Sequence, residues 1–542
     1  MSDLVYFKNN IQVEPLLNDW YAWYNIIPPV STAMNLVERS IPIMESYIAE
    51  PDIHASCVKN PAMRGGPFID LEGDKSKEVA GMLEKLKERA APIFPFVEAI
   101  RKLDHLLKEK ANGFKLEELY NEIPEELKGY VELYYDRHHR PDFRIFEALI
   151  YKSPYYVEAF QSITLSVIES DADRPFIFST PRLPNSKKLN LQIPFWSEQL
   201  DDLFRMKREP GSFSEIANKF DISEDQMDLF KSFFTEDPPK KYEKYTGDKI
   251  RTRYFGHACV LIETKDTTIL LDPVLSYTYE SDISRFTYDD LPDEIDYILI
   301  THGHHDHILL ETMLQLRHKV KTIVVGKNIN GAVQDPSIKL LFSNLGFKNV
   351  IELNEFEQIT DHGLTITGVP FIGEHHDIHL ASKLCYHIKS GDYSILSVAD
   401  SCNQSPELYK HVHDFLGDVD ILFLGMECDG APSTWVYGPF FTYQQEREKD
   451  HSRRSRGSNC REGMDLVHRF NCKEVYVYAM GEEPWIDYIL EVHYTEESNP
   501  IIQSNMLVEK CRNEGRKAQR LFGEAELFSY NSAPTPKKRF QL

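Results

Sequence analysis

Directly after the apolar run Tyr297 to Ile300, the chain reads Thr301-His302-Gly303-His304-His305-Asp306-His307. A strand that runs out into histidines and an aspartate at this spacing leaves little choice of fold. The strand holds the backbone stiffly, and the tight turn beyond it throws His302 and His304 toward one metal ion. Asp306 and His307, expected at the start of a helix over Ile308 to His318, reach a second ion beside the first. Imidazole and carboxylate donors in such a set suit zinc, iron or manganese.

A two-metal site needs further ligands, and other strand ends are where they should lie. The strand expected over Leu364 to Val369 leads into Phe371-Ile372-Gly373-Glu374-His375-His376-Asp377, and Ser394 to Val398 closes on Asp400. One carboxylate can give an oxygen to each of two cations, so Asp400 is suited to bridge them. Glu374, His375 and His376 compete for a place on the metal. His257 and Asp272 are read as groups that orient ligands. The late strand Glu474 to Tyr478 ends in Ala479-Met480-Gly481-Glu482-Glu483, with no histidine, and His493 is the nearest downstream. Loss of a nitrogen ligand leaves a more open, oxygen-rich site, which moves the preference from zinc toward iron or manganese.

At 542 residues the chain is long enough for two or more domains. Residues 1–240 read as a mixed α/β domain for interaction or dimerisation. Helices are expected over Lys75 to Arg89 and Val97 to Ala111, an apolar-periodic stretch over Leu116 to Tyr135, and short strands at Phe68-Ile69, Phe176 to Phe178 and Leu189 to Ile193. A helical module near 212–235 resembles a helix–turn–helix. Asp237-Pro238-Pro239-Lys240-Lys241 is the expected linker, and residues 241–542 alternate short apolar strands with helices, the pattern of a layered α/β domain. The formal net charge of -24 argues against general nucleic-acid or anionic-membrane binding. No signal-like or transmembrane stretch is seen, and eight scattered cysteines without a CxxC pair suit reduced, cytoplasmic thiols.

The H-x-H-x-D-H pattern is the signature of the metallo-β-lactamase superfamily, whose form is an αββα sandwich with metals at one edge. Gly373-Glu374-His375-His376-Asp377 together with Met426-Glu427-Cys428-Asp429-Gly430-Ala431-Pro432 resembles the diiron β-hydroxylases built on that fold, which act on carrier-bound amino acids in antibiotic biosynthesis. The likeness extends to Ser452 to Asn459, Val13-Glu14-Pro15 and Arg64-Gly65-Gly66. It implies His302, His304 and Glu374 on one iron, Asp306 and His307 on the other, and Asp400 between them, with Asp400 and Glu374 central to catalysis. It also implies an Fe–O–Fe cluster, O2 as co-substrate, an external electron donor, a peptidyl- or acyl-carrier domain bearing a phosphopantetheine thioester, and it allows a homodimer. The alternative is a dizinc hydrolase of an ester, thioester or phosphodiester on the same fold.

Three features remain. Arg447, Arg453, Arg454, Arg456 and Arg461 form a basic island suited to a phosphopantetheine phosphate or an acidic carrier surface, or else a solvated loop. Trp435, Tyr437, Phe440, Phe441 and Tyr443 could wall a channel, while Glu427 and Asp429 are read as loop-structuring. His138-His139 lies in a charged stretch and is expected at the surface.

Overall fold

The computed structural model describes residues 3–172 and 174–528. From Arg251 onward, two seven-stranded sheets lie face to face. The first runs Val350–Leu353, Val320–Gly326, Ile295–Leu299, Thr268–Leu271, Val260–Glu263, Arg251–Tyr254, Ala525–Phe528. The second runs Gln358–Asp361, Leu364–Val369, Cys385–Ser390, Tyr393–Ser397, Ile421–Gly425, Glu474–Tyr478, Lys517–Arg520. Strands such as Val260–Glu263 and Ile421–Gly425 are buried at every residue, as strands covered on both faces must be. Leu271, Leu299 and Val324 of the first sheet meet Ile366, Tyr386, Phe423 and Tyr476 of the second in one apolar layer. Helices Leu310–Leu316 and Ile338–Asn344 cover the outside of the first sheet. Pro406–Leu416, Cys460–Arg469 and Asn499–Asn513 cover the second, which completes the αββα sandwich.

Parallel pairing decides where chemistry can sit. Leu271 pairs with Leu299 and Leu299 with Val324, while Ser397 pairs with Phe423 and Phe423 with Tyr476, all in parallel register. Within each sheet these strands therefore finish on a common edge, the usual place for an α/β site. The two edges are tied together where Leu384 N donates to Thr301 O (2.7 Å) and Tyr386 Oη to Ile300 O (2.9 Å).

The N-terminal half supplies a four-stranded sheet centred on Ile11–Leu17 and Gln161–Val167, and a three-stranded one in which Leu4–Phe7 joins Gly211–Ser212 and Phe234–Thr235. Phe213–Lys219 and Met227–Ser232 form the helical pair between those last two strands, with Ile216, Ala217 and Phe230 turned inward. Val13, Tyr21, Phe178 and Leu203 belong to the same continuous core as Leu261, Ile298 and Leu310, so the two halves share buried surface. Buried charges join them as well. Arg174 Nη2 donates to Glu311 Oε2 (2.6 Å) across the halves, as does Tyr21 Oη (3.1 Å), while Arg182 Nε donates to Glu14 Oε1 (3.0 Å) within the N-terminal half.

Helices form at Ser76–Arg89 and Phe94–Lys110, close to expectation. Three readings need correction. Leu116 to Tyr135 becomes two 3₁₀ turns and the strand Val131–Tyr135, because Pro124 and Gly129 interrupt a helix. Phe68-Ile69 and Phe176 to Phe178 are not strands: Ile69 N donates to His54 Nδ1 and Ile177 N to Tyr488 O, so their backbones are bonded outside any ladder. The helix after the histidine motif is Leu310–Leu316, which leaves Asp306 and His307 in the turn before it, where Ile308 N donates to His304 O (2.9 Å). All eight cysteines are free thiols, and among the described residues no helix is long and apolar enough to cross a membrane.

Arg174→Ala would leave Glu311 buried without its cation, at a cost of about 3–5 kcal/mol in stability. A large fall in the urea midpoint is the expected reading. A second prediction concerns pH. Lys207 is buried among the rings of Phe7, Tyr277 and Tyr288 with no hydrogen-bond partner, and burial pushes its pKa down to about 7. Lys319, over the other contacts of Tyr288, is likewise pushed down to about 7 by burial. In the unfolded chain lysine titrates near 10.4, so between those values the unfolded state binds more protons and stability rises with pH. Lys207→Met should remove roughly half of that rise, read as unfolding midpoints from neutral to alkaline pH.

Candidate metal centre

At the end of the strand Thr268–Leu271, Asp272 turns its carboxylate onto the histidine motif. Its Oδ1 accepts from Thr301 N (2.8 Å), and its Oδ2 accepts from Thr301 Oγ1 (2.6 Å) and His307 Nδ1 (2.8 Å). The last bond sets the tautomer: with its proton on Nδ1, His307 presents a bare Nε2 to the interior, 2.8 Å from Asp400 Oδ2. His302 Nε2 lies 3.7 Å from the same oxygen. Across the site, His304 Nδ1 is 3.1 Å from Glu374 Oε1 and its Nε2 is 3.3 Å from the hydroxyl of Tyr437. His257 Nε2 is 3.0 Å from Asp306 Oδ2.

The loops that deliver these groups are bent. Glu374 (φ +64°), His376 (φ +56°) and Ala399 (φ +46°) take left-handed backbone that non-glycine residues adopt at a cost. Gly425 is demanded by packing: a Cβ there would meet Asp400 Oδ1 at 2.4 Å, so only glycine lets the carboxylate settle against that strand end.

The six residues picked from the sequence are thus brought together. Donor atoms within 4.8 Å of one another form three groups: His302, His304, Glu374 and His375; His257, Asp306 and His307; and His302, His307 and Asp400. His375 therefore joins Glu374, its Nδ1 lying 3.0 Å from Glu374 Oε2. His376 does not, since its Nδ1 faces the carbonyl of Arg453 (2.7 Å), and His493 lies outside the site beside Asp487. Past Tyr478 the chain turns at Ala479, whose N donates to His257 O (2.9 Å), and no imidazole stands there. Two contacts carried no local signal. Tyr494 Oη donates to Glu427 Oε1 (3.0 Å) across 67 residues, and burial together with Asp400 and Asp306 pushes the Glu427 carboxyl up to about 7. Tyr437 reaches His304 from 133 residues away.

The donor set fits a pair of cations. His302 Nε2, His307 Nε2, Glu374 Oε2 and Asp400 Oδ1 are buried without hydrogen-bond partners. Polar atoms so placed are costly unless a ligand satisfies them. Burial, with His307 and His304 beside it, also holds His302 well below its ordinary pKa, in the neutral form that binds metal.

Of the other sequence candidates, the basic island is largely committed within the protein. Arg453 Nε donates to His376 O (2.8 Å), Arg454 Nε lies 3.2 Å from Asp429, and Arg456 Nη2 donates to Glu462 (3.0 Å). Tyr443 is exposed, whereas Trp435 and Tyr437 lie against the site. His138 and His139 sit at an exposed hairpin tip.

A family model for the N-terminal domain of diiron non-heme β-hydroxylases matches residues 6–238, and a β-lactamase superfamily domain model matches residues 251–447. The chain belongs to the diiron β-hydroxylases, enzymes with an iron pair on a metallo-β-lactamase fold. It is 36% identical over 525 residues to the 4-amino-L-phenylalanyl CmlP-peptidyl-carrier-protein 3-hydroxylase of Streptomyces venezuelae, covering 95% of this chain and 98% of that one. The crystal structure of CmlA, a diiron β-hydroxylase from Streptomyces venezuelae, superposes with a TM-score of 0.91 at 35% identity over 97% of this chain and 99% of that one. A mutant of CmlA gives 0.87 at 34% identity over 96% and 99%. A metal-dependent hydrolase of Listeria welshimeri is 25% identical over only 29% of this chain and 77% of its own.

Asp272→Ala removes the acceptor that fixes the His307 tautomer and should lower iron affinity by about 10–100-fold. Retained iron after dialysis against graded chelator measures it.

Proposed function

We propose that the enzyme hydroxylates the β-carbon of an aminoacyl group held as a thioester on a peptidyl-carrier domain, using O2 and an external electron donor. The observation that carries this reading is the buried set of donors, the six picked from the sequence with His257 and His375 beside them and no late histidine, in a chain that aligns end to end with a carrier-dependent hydroxylase. In this reading His302, His304 and Glu374 hold one iron, Asp306 and His307 the other, and Asp400 lies between them. When bound, the iron pair supplies the reductive activation of O2 by which one oxygen atom enters a C–H bond.

The chain's own residues set the conditions for that chemistry. Asp272 keeps a proton on His307 Nδ1, and His257 holds Asp306 by a 3.0 Å contact, so neither ligand is free to turn. Tyr437 steadies His304 from the far side. Phe371 packs against His302 and His375, and Trp23, Phe178 and Trp435 surround His305, so the ligand shell is walled by rings that exclude water. The N-terminal half, which shares the core and supplies Trp23 and Phe178, serves as the platform for carrier docking and for a homodimer.

The test is anaerobic purification, metal analysis and reaction with O2, reductant and carrier-bound aminoacyl groups. About two irons per chain and a product heavier by one oxygen are expected. Asp400→Asn should abolish turnover while leaving the fold intact by circular dichroism. Two zincs with simple thioester hydrolysis would overturn the reading.

A further inference from the structure

A pocket of about 450 Å³ opens between the halves of the chain, lined by Arg39, Ile43, Gly65, Phe68, Phe178 and Trp435 among others. Its cation is Arg39, and Glu38, Ser46 and Thr434 are the other polar side chains that line it. The π-helical turn Leu36–Ser40, between helices Pro29–Asn35 and Ile41–Ala49, carries this residue; such turns add a residue per turn and often mark functional positions. Arg39 Nη2 donates to the carbonyls of Trp435 (2.5 Å) and Val436 (3.3 Å). The guanidinium lies over the rings of Trp23 (5.4 Å) and Phe178 (5.3 Å). Among the described residues no carboxylate pairs with it; the neighbouring Glu38 is taken by Arg101. Burial, unopposed by any acid, pulls its pKa down to about 10. A half-buried cation without a counter-ion, set in a largely apolar wall, is complementary to an anion carried on a flexible chain.

Position narrows the ligand. Phe178 stands between Arg39 and the His305 ring, 4.5 Å from the latter, and His305 is flanked by the metal-facing His304 and Asp306. Both ring nitrogens of His305 are buried without partners. The pocket thus leads from solvent to within one side-chain layer of the cluster. The wall facing Arg39 is fixed, since Trp435 Nε1 donates to Gly65 O, and a Cβ on Gly65 (φ +72°) would strike the indole at 2.5 Å.

We propose that this pocket receives the phosphopantetheine arm of the carrier-tethered substrate, with the Arg39 guanidinium taking the arm's phosphate. The proposal rests on the carrier-dependent reading above. An arm attached to a folded carrier must cross the surface of the enzyme, and here a largely apolar passage meets a guanidinium that is held by carbonyls through Nη2 and has no carboxylate partner. Arg454 and Arg456, by contrast, are already neutralised by Asp429 and Glu462.

Calorimetric titration of the iron-loaded full chain with 4′-phosphopantetheine and with pantetheine tests the assignment. The wild type should bind the phosphorylated form about tenfold more tightly or better. Arg39→Gln should bind the two alike, and Arg461→Gln should keep the preference. Equal binding by the wild type, or a preference that survives in Arg39→Gln, would overturn the proposal. If Arg39→Gln does not fold, the wild-type comparison alone decides. Turnover of a carrier-bound aminoacyl group by the wild type is measured alongside. Turnover without phosphate preference removes the pocket assignment and leaves the carrier reading standing; absence of turnover removes both.

Discussion

The Asp272 carboxylate is the constraint from which the site is built. It gives both oxygens to the residues that open the histidine motif, bonding the Thr301 backbone, the Thr301 hydroxyl and His307. One buried anion thereby fixes where the strand Ile295–Leu299 ends, how the turn leaves it and which nitrogen of His307 faces inward. A hydrogen bond to a charged group is worth more than a neutral one, and more still away from water. Parallel pairing of Leu271 with Leu299 makes the arrangement possible, because it brings the two strand ends level.

Around that anchor the N-terminal half is a structural part of the centre. Arg174 and Tyr21 bond Glu311, which lies four residues beyond His307 at the start of the next helix. On the opposite side Arg101 donates to the carbonyls of Pro439 (2.7 Å) and Phe441 (2.9 Å), and Arg39 to that of Trp435, so two N-terminal arginines grip the segment from which Tyr437 reaches His304. Guanidinium groups suit this work, since each spans more than one carbonyl in a fixed plane.

Much of the centre was legible because its candidate donors sit where short apolar runs stop, and apolar runs are visible in sequence. His302, His304, Asp306, His307, Glu374 and Asp400 all follow such runs, and the missing late histidine showed in the same way. Pairings between distant segments were not legible. Nothing local links Tyr494 with Glu427, or Arg453 with His376, and composition alone left the arginines around residue 453 either structural or ligand-facing. Secondary structure failed for related reasons. Phe176 to Phe178 has the composition of a strand, but its backbone bonds to the short helix Asp487–Leu490 at Tyr488. The helix after the motif starts late because Ile308 is held back by a turn to the His304 carbonyl.

Trp435, its indole seated against the bare backbone of Gly65 and its carbonyl taken by Arg39, has a bearing on how such a protein can change over generations. Three positions far apart in the chain, 39, 65 and 435, are fitted to one another at a single point. A side chain at 65 has room only if 435 shrinks, and a smaller residue at 435 alters the wall that Arg39 faces. Drift at this seam is therefore joint, and descendants that exchange one half of the chain for a cousin's inherit a mismatch there before any residue of the metal centre has altered.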